Sequence, residues 1–248
     1  MARTVVISGG GTGIGFATAE AFAAEGDRVV LLGRREEALA HAAERLPSAG
    51  YFAVDLRDPA DVLRAAAFVE REYGAVDVLV NSAGGNGGRE KQHAHSSPLA
   101  ALAHDWTVNF RLNTLTAALL TEALKEHLAT PGGRVLFLSS IAAYRGSGSV
   151  AYGASKAALH PYAFQLARTL GPRGITVNVV APGLVEETDF FGEPLAQERK
   201  DALVAETATG RIGHPGDIAR TLHWLASSAA GHITAQVIQV NGGAERGH

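Results

Sequence analysis

TVVISGGGTGIGFATAEAFAAEG, residues 4–26, is the stretch whose reading decides the fold. Its first five residues form a short β-branched run, the glycines follow at once, and an alanine-rich segment with helical character continues from Phe16. The order is strand, glycine turn, helix. Such a turn directs backbone N–H groups and the positive end of a helix at an anion, typically a pyrophosphate. The spacing Gly9-x-x-x-Gly13-x-Gly15 departs from the commoner G-x-G-x-x-G pattern, but its place between a strand and a helix supplies the required context. Gly9, Thr12, Gly13, Ile14 and Gly15 are therefore candidate contacts to a dinucleotide, set against the simpler reading of a tight turn.

Working outward, RVVLL at 28–32 reads as a second strand, followed by Gly33, Arg34 and Arg35. An acidic residue at this place would accept hydrogen bonds from an NAD ribose. Here no carboxylate repels a 2′-phosphate and Arg34 can pair with it, so NADP(H) is the preferred cofactor and NAD(H) the possible one. The competing reading leaves both arginines solvated at the start of the next helix. EEALAHAAERLP is an amphipathic helix, YFAVD at 51–55 a third strand, and DPADVLRAAAFVEREYG a helix opened by an Asp58 cap and Pro59. VDVLVN at 76–81 is the fourth strand. Asp55 and Asn81 thus end strands at the carboxyl edge, where open α/β sheets bind ligands, unless they are plain turn residues.

A second informative stretch is SSIAAYRGSGSVAYGASK, residues 139–156. Tyr152 and Lys156 fall at i and i+4 of a helical pattern and share a face. A free phenol, with a pKa of about 10, is a poor acid or base at neutral pH, and a nearby ammonium favours its ionised form. A tyrosine tuned in this way can give a proton to a carbonyl oxygen or take one from an alcohol. Ser139 or Ser140, after the strand-like run RVLFL, can hydrogen-bond the same oxygen. Taken alone, a Tyr/Lys pair on a helix and two serines leaving a strand are ordinary features, so the surroundings must carry the argument.

Composition narrows the classes further. The 248 residues suffice for one α/β domain or two small ones, and 46% hydrophobic with 19% charged residues indicates a globular chain. A net charge of -3 provides no basic footprint for nucleic acid. With no cysteine there is no disulfide, thiolate zinc site or thiol nucleophile. The first strand begins too near Met1 for a signal peptide, and no apolar run approaches the roughly 18 residues of a membrane span; a soluble cytoplasmic protein is expected. His93 and His95 lack a carboxylate or cysteine partner at ligand spacing, so no metal site is expected.

The glycine turn, NSAG at 81–84, the serine pair, the Y-x-x-x-K, APG at 181–183, RIGHPGDIA at 211–219 and VIQVNGG near the C-terminus follow in chain order. Together they resemble the short-chain dehydrogenase/reductase family over nearly the whole chain. The resemblance implies a single doubly wound Rossmann-type domain spanning 1–248, with a seven-stranded parallel sheet flanked by helices and a substrate lid at about 184–210. It also implies a nicotinamide cofactor, a small-molecule carbonyl or alcohol substrate and a homotetramer or homodimer. By the same resemblance Tyr152 is the acid/base, Lys156 lowers its pKa and binds the nicotinamide ribose, and Ser140 polarises the substrate oxygen, with Ser139 as the other candidate. A fourth catalytic residue, an asparagine holding a water, maps to Asn113 by its spacing from Trp106, with Asn109 one turn earlier. Gly84, Asn81 and Asp55 join the cofactor set, as do Pro182, Gly183 and Val185 at the nicotinamide end.

The sequence also departs from that pattern. GLVEETDFFGEP has one residue more than usual before Thr188, which leaves a cofactor contact for that threonine open. Glu186, Glu187, Asp189, Phe190, Phe191 and Glu193 give the lid an acidic, partly aromatic rim that disfavours strongly anionic substrates. Pro161 lies inside the helix that carries Tyr152 and is expected to kink or break it beyond Lys156. The expected activity is NADP(H)-dependent interconversion of a carbonyl and a secondary alcohol. The alternatives are a 3-oxoacyl carrier-protein reductase and a non-catalytic cofactor-sensing regulator on the same fold.

Overall fold

The computed structural model describes residues 2–87, 95–146, 149–188, 190 and 195–246. Strands and helices alternate along the chain. The first half comprises β1 Thr4–Ser8, α1 Gly13–Ala24, β2 Arg28–Gly33, α2 Glu36–Glu44, β3 Ala49–Ala53, α3 Pro59–Tyr73, β4 Val78–Asn81, α4 Pro98–Phe110 and α5 Thr116–Leu124. The second comprises β5 Arg134–Leu138, α6 Ala142–Arg145, α7 Val150–Ala157, α8 Leu159–Leu170, β6 Thr176–Pro182, α9 Gln197–Ala205, α10 Pro215–Leu225 and β7 Val237–Val240.

The seven strands form one sheet in the order β3-β2-β1-β4-β5-β6-β7, and every pairing is parallel. The order reverses between β1 and β4. That reversal opens a crevice at the carboxyl ends of those strands, the place where such sheets bind ligands. β3 starts two residues earlier than its sequence pattern suggests, because Ala49 and Gly50 pair with Val29 and Val30, and Asp55 therefore lies beyond the strand's end.

Alternation along the strands builds two cores. Val6, Val30, Leu79, Val135 and Phe137 face the layer containing α3, α5 and α8. Their neighbours Val5, Ile7, Val29, Leu31, Val80 and Leu136 face α1, α2 and α10. Phe22 and Phe137 are fully buried on opposite faces, each worth about 1.5–3 kcal/mol of hydrophobic stabilisation. Asp58 caps α3 by accepting from Ala60 N–H at 2.8 Å, with Pro59 in the first turn, as its sequence signature predicts. The helix carrying Tyr152 divides at Ala158: Pro161 has no N–H to offer the carbonyl of Ala157 four residues back. Among the described residues, no helix is long and apolar enough to cross a membrane.

Candidate active site

The glycine turn after β1 is a shape that side chains cannot enter. A Cβ on Gly15 would lie 2.2 Å from the carbonyl oxygen of Gly9, and Gly9 itself has φ +68° with Ala83 only 3.0 Å from where its Cβ would be. Ser8 stitches this turn to the loop after β4, its Oγ accepting the N–H groups of Ser82 and Ala83, both at 3.0 Å. Thr12 stands at the N-cap of α1 without capping it through its side chain. The first-turn amides of α1, from Gly13 through Ile14 to Gly15, therefore keep their capacity for an anion. This cradle fits a dinucleotide pyrophosphate.

Beside it, Arg35 Nη2 donates to Thr12 Oγ1 at 3.0 Å, so the arginine read as an ordinary helix-start residue bends over the turn. Arg34 is exposed at the carboxyl end of β2. Asp55 is gripped by Arg57, whose Nη2 lies 2.7 Å from Oδ2 and whose Nε lies 2.9 Å from Oδ1. The Arg57 hydrogen bonds hold the Asp55 carboxyl below its usual range, and the charge of Arg34 adds to the effect. Three guanidinium groups thus border this end of the crevice. Asn81 turns away from it: its side chain is buried, with Nδ2 donating to Thr121 Oγ1 at 3.0 Å in α5.

The other half of the crevice holds the candidate catalytic set. Tyr152 is 8% exposed, Lys156 4% and Asn113 1%. Lys156 Nζ donates to the Leu138 carbonyl at the end of β5 at 2.7 Å. A Cβ on Gly84 would lie 2.6 Å from Asn113 Oδ1 and 2.9 Å from Lys156 Nζ, so those two side chains close on one glycine. Asn113 sits in a wide π-type turn, Arg111–Leu115, and exchanges hydrogen bonds with the backbone of Gly85 at 2.9 and 3.0 Å.

The two serines separate by direction. Ser140 lies near enough to the Tyr152 phenol to lower its pKa. Ser139 is buried behind the site; its Oγ donates to the Lys156 carbonyl at 3.1 Å and meets His160 Nε2 at 2.8 Å. Since Ser139 has one hydroxyl proton and spends it on Lys156, His160 must donate from Nε2. Asn109 is likewise drawn elsewhere, its Oδ1 accepting from Gly87 N–H at 3.1 Å.

Burial governs the ionisation of this half. It pushes the Tyr152 phenol up to about 12, opposed by nearby Ser140, and pushes the Lys156 amine down to about 8. The lowering of the phenol by Lys156 that the helical spacing suggests is not among the causes of its shift in the protein alone. Depth of burial is the physical reason: both groups lose water, and desolvation disfavours whichever form is charged.

Pro182 ends β6, and its carbonyl accepts from Ile141 N–H at 2.8 Å. Gly183 follows, where a Cβ would lie 2.7 Å from that of Asn241. Val185 is buried in the core with α10, and its backbone bridges to Gly213. Thr188 arches over the glycine turn, its Cγ2 being 3.4 Å from where a Cβ of Gly13 would be. The extra residue before it is accommodated in a turn that includes Glu187 at φ +55°. The Phe190 ring lies 5.1 Å from that of Tyr152, centroid to centroid. Glu186 pairs with Lys200 at 3.0 Å, which blunts the acidic rim, and its Oε1 lies 3.2 Å from His214 Nε2. His93, Asp189, Phe191 and Glu193 lie outside the described residues. Among those described, no three potential ligands gather for a metal, and His95 instead packs against the His104 ring.

Local sequence signals existed for some missed contributors. Ser149 is a recognisable cap before VAYGASK, and its Oγ does accept from Tyr152 N–H at 3.4 Å. Nothing local identified His160 or Arg35, whose partners Ser139 and Thr12 are distant in sequence.

Comparison with known proteins matches this arrangement. A family model described as enoyl-(acyl carrier protein) reductase matches residues 9–245. Short-chain reductase protein NovJ of Streptomyces niveus is 34% identical over 96% of this chain and 92% of its own. The 3-oxoacyl-[acyl-carrier-protein] reductase FabG of Escherichia coli K12 is 31% identical over 97% of this chain and 96% of its own. Among solved structures, a short-chain dehydrogenase/reductase described as a glucose/ribitol dehydrogenase from Brucella melitensis superposes with a TM-score of 0.88 at 30% identity. It covers 99% of this chain and 97% of that one. With similarity running the length of both partners in each case, the chain belongs to the short-chain dehydrogenase/reductase family.

Proposed function

We propose that this protein is an NADP(H)-dependent oxidoreductase that interconverts a small-molecule carbonyl and the corresponding secondary alcohol. The observation that carries the reading is the burial, at one end of the crevice, of Tyr152 with Ser140 near enough to lower its pKa, together with the convergence of Lys156 and Asn113 on Gly84. Two hydroxyls this near each other can both meet one substrate oxygen, and that geometry suits a carbonyl. The nicotinamide, when bound, supplies a hydride to carbon in reduction and accepts it in oxidation. Tyr152 gives its phenolic proton to the carbonyl oxygen as the alcohol forms, and takes it back in reverse. Ser140 donates a hydrogen bond to the same oxygen while charge builds there. Lys156 contributes positive charge beside the phenol, and Asn113 keeps Gly85 and the loop after β4 against it.

Gly9, Thr12, Gly13, Ile14, Gly15 and Thr188 would hold the pyrophosphate, Arg34 and Arg35 a 2′-phosphate, and Asp55 with Arg57 the adenine end. Gly84, Pro182, Gly183 and the backbone of Val185 would border the nicotinamide. Asn81 would serve through its backbone. Exposed Leu99, Leu102 and Trp106 on α4, with Phe164 on α8, support association with further copies of the chain.

A second reading, reduction of a carrier-bound 3-oxoacyl thioester, is favoured by the similarity to E. coli FabG. Comparing a free β-keto ester with the carrier-bound thioester separates the two. A cofactor-sensing regulator needs the glycine turn but not four convergent polar groups at the other end. The deciding experiment follows reduced-nicotinamide absorbance over a carbonyl and alcohol panel. Tyr152→Phe should lower kcat by at least about a thousandfold, near the upper range for a general acid, while cofactor affinity changes less than about twofold. A phenylalanine variant with full activity defeats the assignment.

A further inference from the structure

We propose that Asp105 is a positioning residue for Tyr152, coupling the loop after β4 to the start of the catalytic helix. This inference rests on the proposed oxidoreductase reading for its kinetic consequence, but not for its structural one. Asp105 lies on α4, one turn before Asn109, and touches neither Tyr152 nor the crevice residues described above. Its two carboxylate oxygens have different partners. Oδ1 accepts from Asn109 Nδ2 at 2.9 Å, and Oδ2 accepts from Ser149 Oγ at 3.2 Å.

An ionised carboxylate only accepts hydrogen bonds, so each partner is given a direction. Ser149 has a single hydroxyl proton. With that proton drawn to Asp105, its oxygen lone pairs are left for α7, where the N–H of Tyr152 lies 3.4 Å away. Asn109 is oriented by the same logic. Its amide nitrogen is committed to the Asp105 carboxylate and to the Asp105 carbonyl, at 2.9 Å each, so its Oδ1 is presented to Gly87 N–H at 3.1 Å. Asn109 is fully buried, where an amide left without partners is costly. Gly87 cannot give way to a larger residue, since a Cβ there would lie 2.7 Å from Val108 Cγ1.

The result is a continuous chain from Gly87 through Asn109, Asp105 and Ser149 to the backbone of Tyr152. Asn113, one turn beyond Asn109, holds Gly85 in the same loop. Asp105 thereby ties the backbone of Tyr152 to the loop after β4, and through it the position of the side chain. A displacement of about 1 Å at a reacting group is enough to reduce turnover by about a hundredfold.

The test joins kinetics to amide hydrogen exchange. Asp105→Ala should lower kcat ten- to a hundredfold, leave the dissociation constant for NADPH within about twofold, and leave the pH profile unshifted. Ser149→Ala should lower kcat by a smaller factor, and Ser149→Thr, which keeps the hydroxyl, should restore it. The Asp105→Ala/Ser149→Ala double variant should be slower than Asp105→Ala by less than about twofold, since the serine acts through the carboxylate. Exchange should rise in Asp105→Ala both at Gly87 and across residues 150–153, whatever the substrate turns out to be. Failure of the wild type to turn over any carbonyl or alcohol would remove the functional reading yet leave the exchange result to decide the coupling. Unchanged exchange at either segment, an unchanged kcat, or effects of the two substitutions that multiply independently would each overturn the proposal. If Asp105→Ala fails to fold, the Ser149 pair of variants decides the arm to Tyr152 by the same rate and exchange measurements.

Discussion

Along the carboxyl edge of the sheet, the half formed by β2 and β3 carries Arg34 and Arg35 in water, whereas the half formed by β4, β5 and α7 carries Tyr152, Lys156 and Asn113 almost wholly buried. The first half uses charge without desolvating it, which suits attraction and recognition of a highly charged ligand. The second half strips its ionisable groups of water, and their pKa values move by two units or more in opposite directions. Exposed cations suit the recognition of a ligand, while buried groups with displaced pKa values suit the timing of a proton transfer.

The most damaging way to test this division is to spoil the cradle that joins the halves. Gly15→Ala places a methyl 2.2 Å from the Gly9 carbonyl, which cannot be relieved by a side-chain rotation. We expect cofactor binding to weaken by at least about a hundredfold in a fluorescence titration, with about 1–3 kcal/mol lost from stability in thermal unfolding. Unaltered binding would show that the turn does not cradle the pyrophosphate.

A smaller effect probes the buried half. Lys156 is cationic below about 8 and loses its charge as pH rises, whereas Tyr152 keeps its proton until about 12. The falling limb of kcat/KM for reduction, which reports the free enzyme, should therefore begin near pH 8 and belong to the lysine. By pH 10 the value should be roughly a hundredfold lower, one decade per unit. A limb beginning near 10 would mean that burial does not govern this amine.

The exposed half should respond least and most selectively. Arg34→Ala is expected to raise KM for NADPH by about ten- to thirtyfold, the loss of one charge-assisted hydrogen bond, while KM for NADH stays within about twofold. Equal losses for both cofactors would remove Arg34 from 2′-phosphate recognition.

The same contrast explains what was legible in the sequence. The strand, glycine turn and helix, the helical placement of Tyr152 and Lys156, and the Asp58 cap are local patterns, and each has its place in the fold. The ambiguity between Ser139 and Ser140 could not be resolved locally, because His160 and the Lys156 carbonyl claim Ser139 from 21 and 17 residues away. The contact of exposed Arg35 with Thr12 was hidden because the two are 23 residues apart across the turn. Thr188 was obscured by a one-residue insertion whose path only the folded backbone reveals. The direction of the Tyr152 shift depended on depth of burial, which periodicity does not report.

The proline-broken junction at Ala158 has a mechanical consequence. Lys156 is tethered to β5 at both ends, by its amine to Leu138 and by its carbonyl to Ser139, so α7 moves with the sheet. Beyond the break, α8 has anchors of its own: Leu159, Ala163 and Leu166 lie in the core, and His160 meets Ser139 at 2.8 Å. A substitution at exposed Phe164 therefore meets those anchors before any disturbance reaches Tyr152.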